Sequence, residues 1–189
     1  MTVEDGLVSV LRAFGDPLLL AELEPRVGVD LTLHEEIALE FASVRAPLEE
    51  VVAWVSQHVR VRPGFRELAE AHEPTILSSG FCELIEPVLE REGVMGLEVR
   101  ANRVEARPEG WRVLWRDEAE CVECGEACKR GSLPGPDVVY VGDGYSDRCA
   151  AVAAGRVFAR DGLAAHLDGL GVAYEPFDDL YDVARALAA

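Results

Sequence analysis

From residue 137 to the C-terminus, short apolar runs alternate with helical segments, and this alternation restricts the possible folds more than any other feature of the chain. Strands are expected at 137–141, 156–159 and Val172-Ala173-Tyr174, with helices at 146–154, 162–168 and 177–188 between and after them. Parallel neighbours need a crossover, and a helix supplies it, so the pattern implies a doubly wound α/β fold with a parallel sheet covered on both faces. In such sheets ligands bind outside the carboxyl ends of the strands. Two candidate strand ends carry polar residues suited to that place, Ser78 after Pro74-Thr75-Ile76-Leu77 and Asp143 after Val138-Val139-Tyr140-Val141.

The second of these ends is the richer. Gly142-Asp143-Gly144-Tyr145-Ser146-Asp147 sets two carboxylates four residues apart where a strand opens into a helix. Mg²⁺ takes oxygen ligands, keeps several waters and is usually bound through one or two carboxylates plus a substrate phosphate. Asp143 suits a direct ligand and Asp147 one acting through a water; an Asp-capped turn gives the same hexapeptide. Ser78-Ser79-Gly80-Phe81 puts a hydroxyl and successive backbone N–H groups at an expected strand-to-helix junction, a phosphate-binding arrangement that a plain serine N-cap would also produce. Lys129 follows a loop, where lysines are ordinarily solvated.

The first third reads as helices alone. Leu7, Val10, Leu11 and Phe14 recur at helical spacing, as do Leu33, Ile37 and Phe41, then Leu48, Val51, Val52, Val55 and Val59. Thr2 and Asp5 suggest a capping box for the first helix. Pro63-Gly64 breaks the pattern before a helix through Phe65-Arg66-Glu67-Leu68. Leu84, Ile85, Val88 and Leu89 mark another helix, with Pro87 near its start or bending it. A strand follows near Leu97 to Val99, and residues 103–115 alternate around Pro108-Glu109-Gly110 as a β-hairpin does.

With 35 acidic against 18 basic side chains, the net charge of −17 repels polyanions and anionic membranes, so no nucleic acid or membrane partner is expected. A small phosphorylated metabolite stays compatible, because one metal ion and one lysine reverse the field locally. The opening Met1-Thr2-Val3-Glu4-Asp5 has no basic or apolar leader, and no apolar stretch is long enough to cross a bilayer, which suggests a cytoplasmic protein. Five cysteines without a secretion signal argue against a disulfide framework. Cys121, Cys124 and Cys128 could ligate zinc as an interaction module, but no fourth ligand stands near them in sequence, and free thiols lining a loop are the simpler expectation. His34, His58, His72 and His166 are scattered singly.

The order of hydroxyl, lysine and Gly-Asp-x3-Asp resembles the haloacid dehalogenase superfamily of phosphatases. The matching segments are Val61-Arg62-Pro63-Gly64-Phe65-Arg66-Glu67, Leu77 to Phe81, Cys-x2-Cys-x3-Cys-Lys ending at Lys129, Gly142 to Asp147, and Phe158-Ala159-Arg160-Asp161. They are most similar to the branch of 2-hydroxy-3-keto-5-methylthiopentenyl-1-phosphate and phosphoethanolamine/phosphocholine phosphatases. The resemblance implies that Ser78, Ser79, Gly80 and Lys129 bind the transferred phosphoryl group and that Asp143 and Asp147 hold Mg²⁺. It also implies a catalytic role for Ser78, Lys129 and Asp143, a core of residues 1–14 and 61–189, and a helical cap of residues 15–60. Cap residues such as His34, Glu35 and Arg45 could touch substrate, but amphipathic helices always display polar residues, and these three are not taken as site residues.

In that family an Asp-x-Asp-Gly-Thr motif ends the first, central strand, its first Asp attacking phosphorus and its second serving as acid and base. No Asp-Gly pair here, Asp5-Gly6, Asp143-Gly144 and Asp161-Gly162 among them, has that context. Thr2-Val3-Glu4-Asp5 resembles what directly follows the motif in relatives, so the sequence is expected to begin where the central strand ends. A start assigned too far downstream is the simplest account; a genuine loss, leaving a pseudo-phosphatase that binds without turnover, is the other.

Overall fold

A computed structural model describes residues 1–188, which form two compact units, Met1–Arg62 with Pro74–Arg116, and Pro63–Glu73 with Asp117 onward.

In the first unit, α1 (Gly6–Phe14), α2 (Pro17–Leu23), α3 (Leu33–Phe41) and α4 (Leu48–His58) precede β1 (Ile76–Phe81), α6 (Cys82–Arg91), β2 (Val99–Glu105) and β3 (Arg112–Leu114); the intervening helix, α5 (Phe65–His72), belongs to the second unit. The segment expected as a cap, 15–60, supplies α2, α3 and α4. The start of α1 differs from the expected capping box. Asp5 is the N-cap, its Oδ1 accepting from the Leu7 and Val8 N–H groups, while Thr2 forms an isolated antiparallel bridge with Val61. Thr32 and Glu35 do form a reciprocal capping box, at the start of α3. The helical stripes bury Val10, Leu11, Ile37, Phe41, Val51 and Val55 in one core with Phe81, Val88 and Trp111. Phe41 meets Phe81 edge to face at 4.7 Å, and the Trp111 indole N–H donates to the Ala46 carbonyl at 2.9 Å, so the buried ring leaves no polar atom unpaired.

The expected hairpin is present, with Val104 opposite Val113 in an antiparallel pair. Its first strand is longer than expected, since residues 99–105 run continuously and pair in parallel with β1 on the way. Pro87 lies in the interior of α6, where its missing N–H removes one helical bond.

The second unit contains α5 (Phe65–His72), β4 (Val139–Gly142), α7 (Arg148–Ala153), β5 (Arg156–Ala159), α8 (Asp161–Leu170), β6 (Glu175–Pro176) and α9 (Leu180–Leu187). Strands β4, β5 and β6 form an all-parallel sheet in that order. Strand β6 falls later than residues 172–174, because α8 runs to Leu170 and needs Gly171 in the left-handed conformation to stop it before the chain can return to β5. Leu163, Leu167, Phe158 and Val183 are buried here.

The parallel strands and crossover helices are those the alternation predicts, but they form two three-stranded sheets. A single ladder would need a strand paired to both β1 and β4, and no segment among the described residues does this; residues 1–6 contribute only the Thr2–Val61 bridge. No helix among the described residues is long and apolar enough to cross a membrane.

Candidate active site

In the second unit, β4 ends at Gly142 and the chain turns through Asp143 and Gly144 into a 3-10 turn, Tyr145–Asp147, that leads into α7. Asp147 is buried and its carboxylate organises this turn. Oδ2 accepts from the backbone N–H groups of Asp143 at 3.0 Å and Gly144 at 3.1 Å, while Oδ1 accepts from the Tyr140 hydroxyl at 2.8 Å and the Lys129 ammonium at 2.7 Å. Burial pushes the Asp147 carboxyl upward, but Lys129 and the two amides outweigh it and hold the group below the usual carboxylate range. Gly142 is needed where the strand passes this carboxylate, because a Cβ there would lie 2.8 Å from the Asp147 Cβ and Cγ.

Lys129 opens a 3-10 turn of residues 129–132 and is the single lysine of a chain that otherwise uses arginine. An ammonium is a compact charge with rotatable donors, whereas a guanidinium is a rigid fork, so lysine suits a site that must pair with Asp147 and still reach a second oxygen. Asp143 is half-buried, and its carbonyl accepts from the Leu163 N–H at 3.0 Å, tying the turn to α8. Its charge reaches Arg160 at the end of β5, whose guanidinium pairs with Asp161 at 2.8 Å. The carboxyl ends of β4 and β5 therefore gather Asp143 and Arg160, with the Lys129–Asp147 pair beside the turn.

In the first unit, Ser78, Ser79 and Gly80 do not cap a helix. They lie within β1, in an irregularity where Leu77 pairs with Arg100 but Phe81 pairs with Asn102. The extra residues bulge, and the Ser78 hydroxyl accepts from the Gly80 N–H at 3.0 Å. Buried Asn102 fixes the bulge, donating to the Ser79 carbonyl at 2.9 Å while accepting from the Arg116 N–H at 3.1 Å. Helix α6 begins only at Cys82, with no side chain capping it. The hydroxyl and amides are thus presented by a strand bulge, because Asn102 holds as β structure what sequence alone reads as a helix entry.

Of the expected site residues, Lys129 and Asp147 are bonded directly, Asp143 stands on the same turn, and Ser78, Ser79 and Gly80 share the bulge of the other unit. Tyr140, Asn102 and Arg160 are additions. Tyr140 reads in sequence as one apolar residue of a strand, and only its buried hydroxyl needing an acceptor hints at its partner.

The family model of the haloacid dehalogenase-like hydrolases matches residues 11–151. The chain belongs to this family. It is 28% identical to the bifunctional enzyme MtnB/MtnX of Bacillus licheniformis over 99% of its own length, and spans 47% of that longer protein. It is 27% identical to 2-hydroxy-3-keto-5-methylthiopentenyl-1-phosphate phosphatase of Geobacillus kaustophilus, covering 99% of this chain and 90% of the relative. The fold is similar to a crystal structure of phosphoserine phosphatase from T. onnurineus in complex with NDSB-201, with a TM-score of 0.65, 18% identity, and 96% and 86% of the two chains covered. Family and relatives identify a haloacid dehalogenase-like phosphatase, and the α/β fold agrees.

Proposed function

We propose that this haloacid dehalogenase-like chain serves Mg²⁺-dependent hydrolysis of a small phosphomonoester through an aspartyl-phosphate. The observation that carries the reading is the turn after β4, where one buried carboxylate fixes both the backbone of Asp143 and the ammonium of Lys129. Phosphoryl transfer asks mainly for positioning and charge stabilisation, and an ammonium held by a buried acid is a positioned positive charge.

The donor set suits a hard cation. Asp143 would hold Mg²⁺ through its carboxylate at the strand end, and Asp147, whose two oxygens accept from four protein donors, would order the turn beside it. A bound Mg²⁺ supplies charge neutralisation at the phosphoryl group. Lys129 neutralises a phosphoryl oxygen while Asp147 keeps its side chain in place. The Ser78 hydroxyl and the Ser79 amide are the proposed further phosphate donors, the Gly80 N–H being given to the Ser78 oxygen, and residues 15–60 are the proposed cap. The substrate class is a small phosphorylated metabolite, as the names of the relatives suggest.

No residue of the 189 is assigned the attacking or proton-shuttling role, because none lies in an Asp-x-Asp-Gly-Thr setting. The test is release of p-nitrophenol from p-nitrophenyl phosphate, with and without Mg²⁺, by this chain and by a chain in which an Asp-x-Asp-Gly-Thr strand precedes Thr2. Mg²⁺-dependent turnover by the longer form alone, lost on Asp143→Asn, is expected. Turnover by the 189 residues themselves would overturn the need for that motif. Metal-dependent phosphate binding with no turnover in either form would favour a binding protein instead.

A further inference from the structure

Four of the five cysteines converge. The sulfurs of Cys121, Cys124, Cys128 and Cys149 all lie within 4.8 Å of one another, and Cys121 and Cys149 are 3.7 Å apart. A disulfide would require about 2.05 Å. A tetrahedral zinc with Zn–S bonds of about 2.3 Å sets its sulfurs about 3.8 Å apart, because the edge of a tetrahedron is about 1.63 times its centre-to-vertex distance. The fourth ligand missing near Cys128 in sequence is therefore Cys149, on the first turn of α7.

The backbone around the sulfurs fits the same use. Cys121, Val122, Glu123 and Cys124 form a tight loop closed by Gly125, whose N–H donates to the Cys121 carbonyl at 2.8 Å with φ +73°, and the Cys121 N–H donates to the Glu126 carbonyl at 2.9 Å. The backbone N–H groups of Glu123 and Cys124 point at the Cys121 sulfur, and the Arg130 guanidinium faces Cys149 and Cys121. Four thiolates on one Zn²⁺ carry two net negative charges, which amide donors and a cation offset. Free thiols gain little from this convergence, since S–H is a weak donor and a weak acceptor.

We propose that Cys121, Cys124, Cys128 and Cys149 bind one structural Zn²⁺. Each cysteine gives up its proton as it ligates, and the closed set of four sulfurs leaves no open position for substrate. The ion pins the 121–128 loop to α7. Cys128 is bonded to Lys129 and Cys149 lies two residues beyond Asp147, so the same clamp holds both partners of the Lys129–Asp147 pair.

The experiment is metal analysis of the full chain purified under reducing conditions without chelator, followed by Co²⁺ reconstitution of the apo chain. Expected are about one zinc per chain and, with Co²⁺, the thiolate charge-transfer and intense d–d absorption of a tetrahedral sulfur site. Cys149→Ser and Cys124→Ser should abolish stoichiometric zinc, while Cys82→Ser, which alters the cysteine outside the cluster, retains it. Because a ligand variant can lose its fold, wild-type chain titrated with a mercurial reagent gives a second measure, zinc release in step with thiol modification. A chain that holds no zinc and takes up no Co²⁺, one that carries iron instead, or disulfides among these four cysteines after alkylation and mass spectrometry would each overturn the proposal. None of these readouts depends on turnover.

Discussion

The Lys129 ammonium lies 2.7 Å from the Asp147 carboxylate, the two side chains being 12% and 8% exposed. The partners are not equally committed. Asp147 also accepts from Tyr140 and two backbone amides, so its loss would strip four donors of their acceptor, whereas loss of Lys129 leaves the carboxylate three. Asp147→Asn should therefore cost about 3–5 kcal/mol of stability, since its carboxamide keeps one acceptor oxygen for the four donors and sets an N–H against the pair that loses its acceptor. Lys129→Met should cost less, about 1–3 kcal/mol. Urea unfolding of both variants and their double mutant measures this, and equal costs would mean that the amides contribute little.

Asn102 links two strands through the bulge that presents Ser78, and its buried side chain makes two bonds to backbone. Asn102→Ala should cost roughly 1–3 kcal/mol by leaving the Ser79 carbonyl and Arg116 N–H without their partner. Amide hydrogen exchange gives a local readout. Protection at Gly80 and Phe81 should fall more than protection in α4, whereas an even loss would show that Asn102 serves the unit as a whole.

Elements set by periodicity were legible in the sequence, and those set by a partner distant in the chain were not. Strand β5 falls on residues 156–159 as expected, and the 103–115 alternation gives the Val104–Val113 pair, because in each case the residues that pack are those that carry the pattern. The β1 bulge depends on Asn102, more than twenty positions from Ser79, and the fourth cysteine lies 28 positions from Cys121. Neither distance has a period. The turn residues Asp143 and Asp147 stood out because strand end, glycine and acid are neighbours in sequence. That Asp147 faces inward, fully bonded, follows from Tyr140 and Lys129, which only the fold brings to it.

Gly64 precedes α5 at φ +83°, and a Cβ there would stand 2.3 Å from the Tyr181 amide nitrogen of α9. The same place is closed by the Leu180 N–H donating to the Pro63 carbonyl at 2.9 Å and by the Tyr181 hydroxyl bonding Glu67 at 3.0 Å. Gly64→Ala should cost about 3 kcal/mol, combining left-handed strain with a backbone collision. Gly6 on α1 has nothing within 4 Å of its Cβ position, so Gly6→Ala should leave stability unchanged or raise it by about 0.5–1 kcal/mol. Similar thermal shifts for the two variants would show that α9 yields easily.

Glu40 is buried on α3 with Oε1 lacking any hydrogen-bond partner. Burial pushes its carboxyl up to about 8, with the nearby acids Glu36, Asp5 and Glu24 adding to the rise, and burial likewise pushes Glu36 up to about 6. The native chain then keeps a proton that the unfolded chain releases at its ordinary value near 4.5. A folded state that binds more protons loses stability as pH rises, so this contribution is complete below pH 4.5, declines from there to about 8 and is flat beyond. Glu40→Gln keeps the shape and removes the charge. It should leave stability near pH 5 almost unchanged, raise it at pH 8 by roughly 1–3 kcal/mol, and flatten the slope between, leaving the smaller contribution of Glu36. Urea midpoints across that range measure the slope, and a Glu40→Gln profile parallel to wild type would mean that the carboxyl reaches water and ionises in the native state.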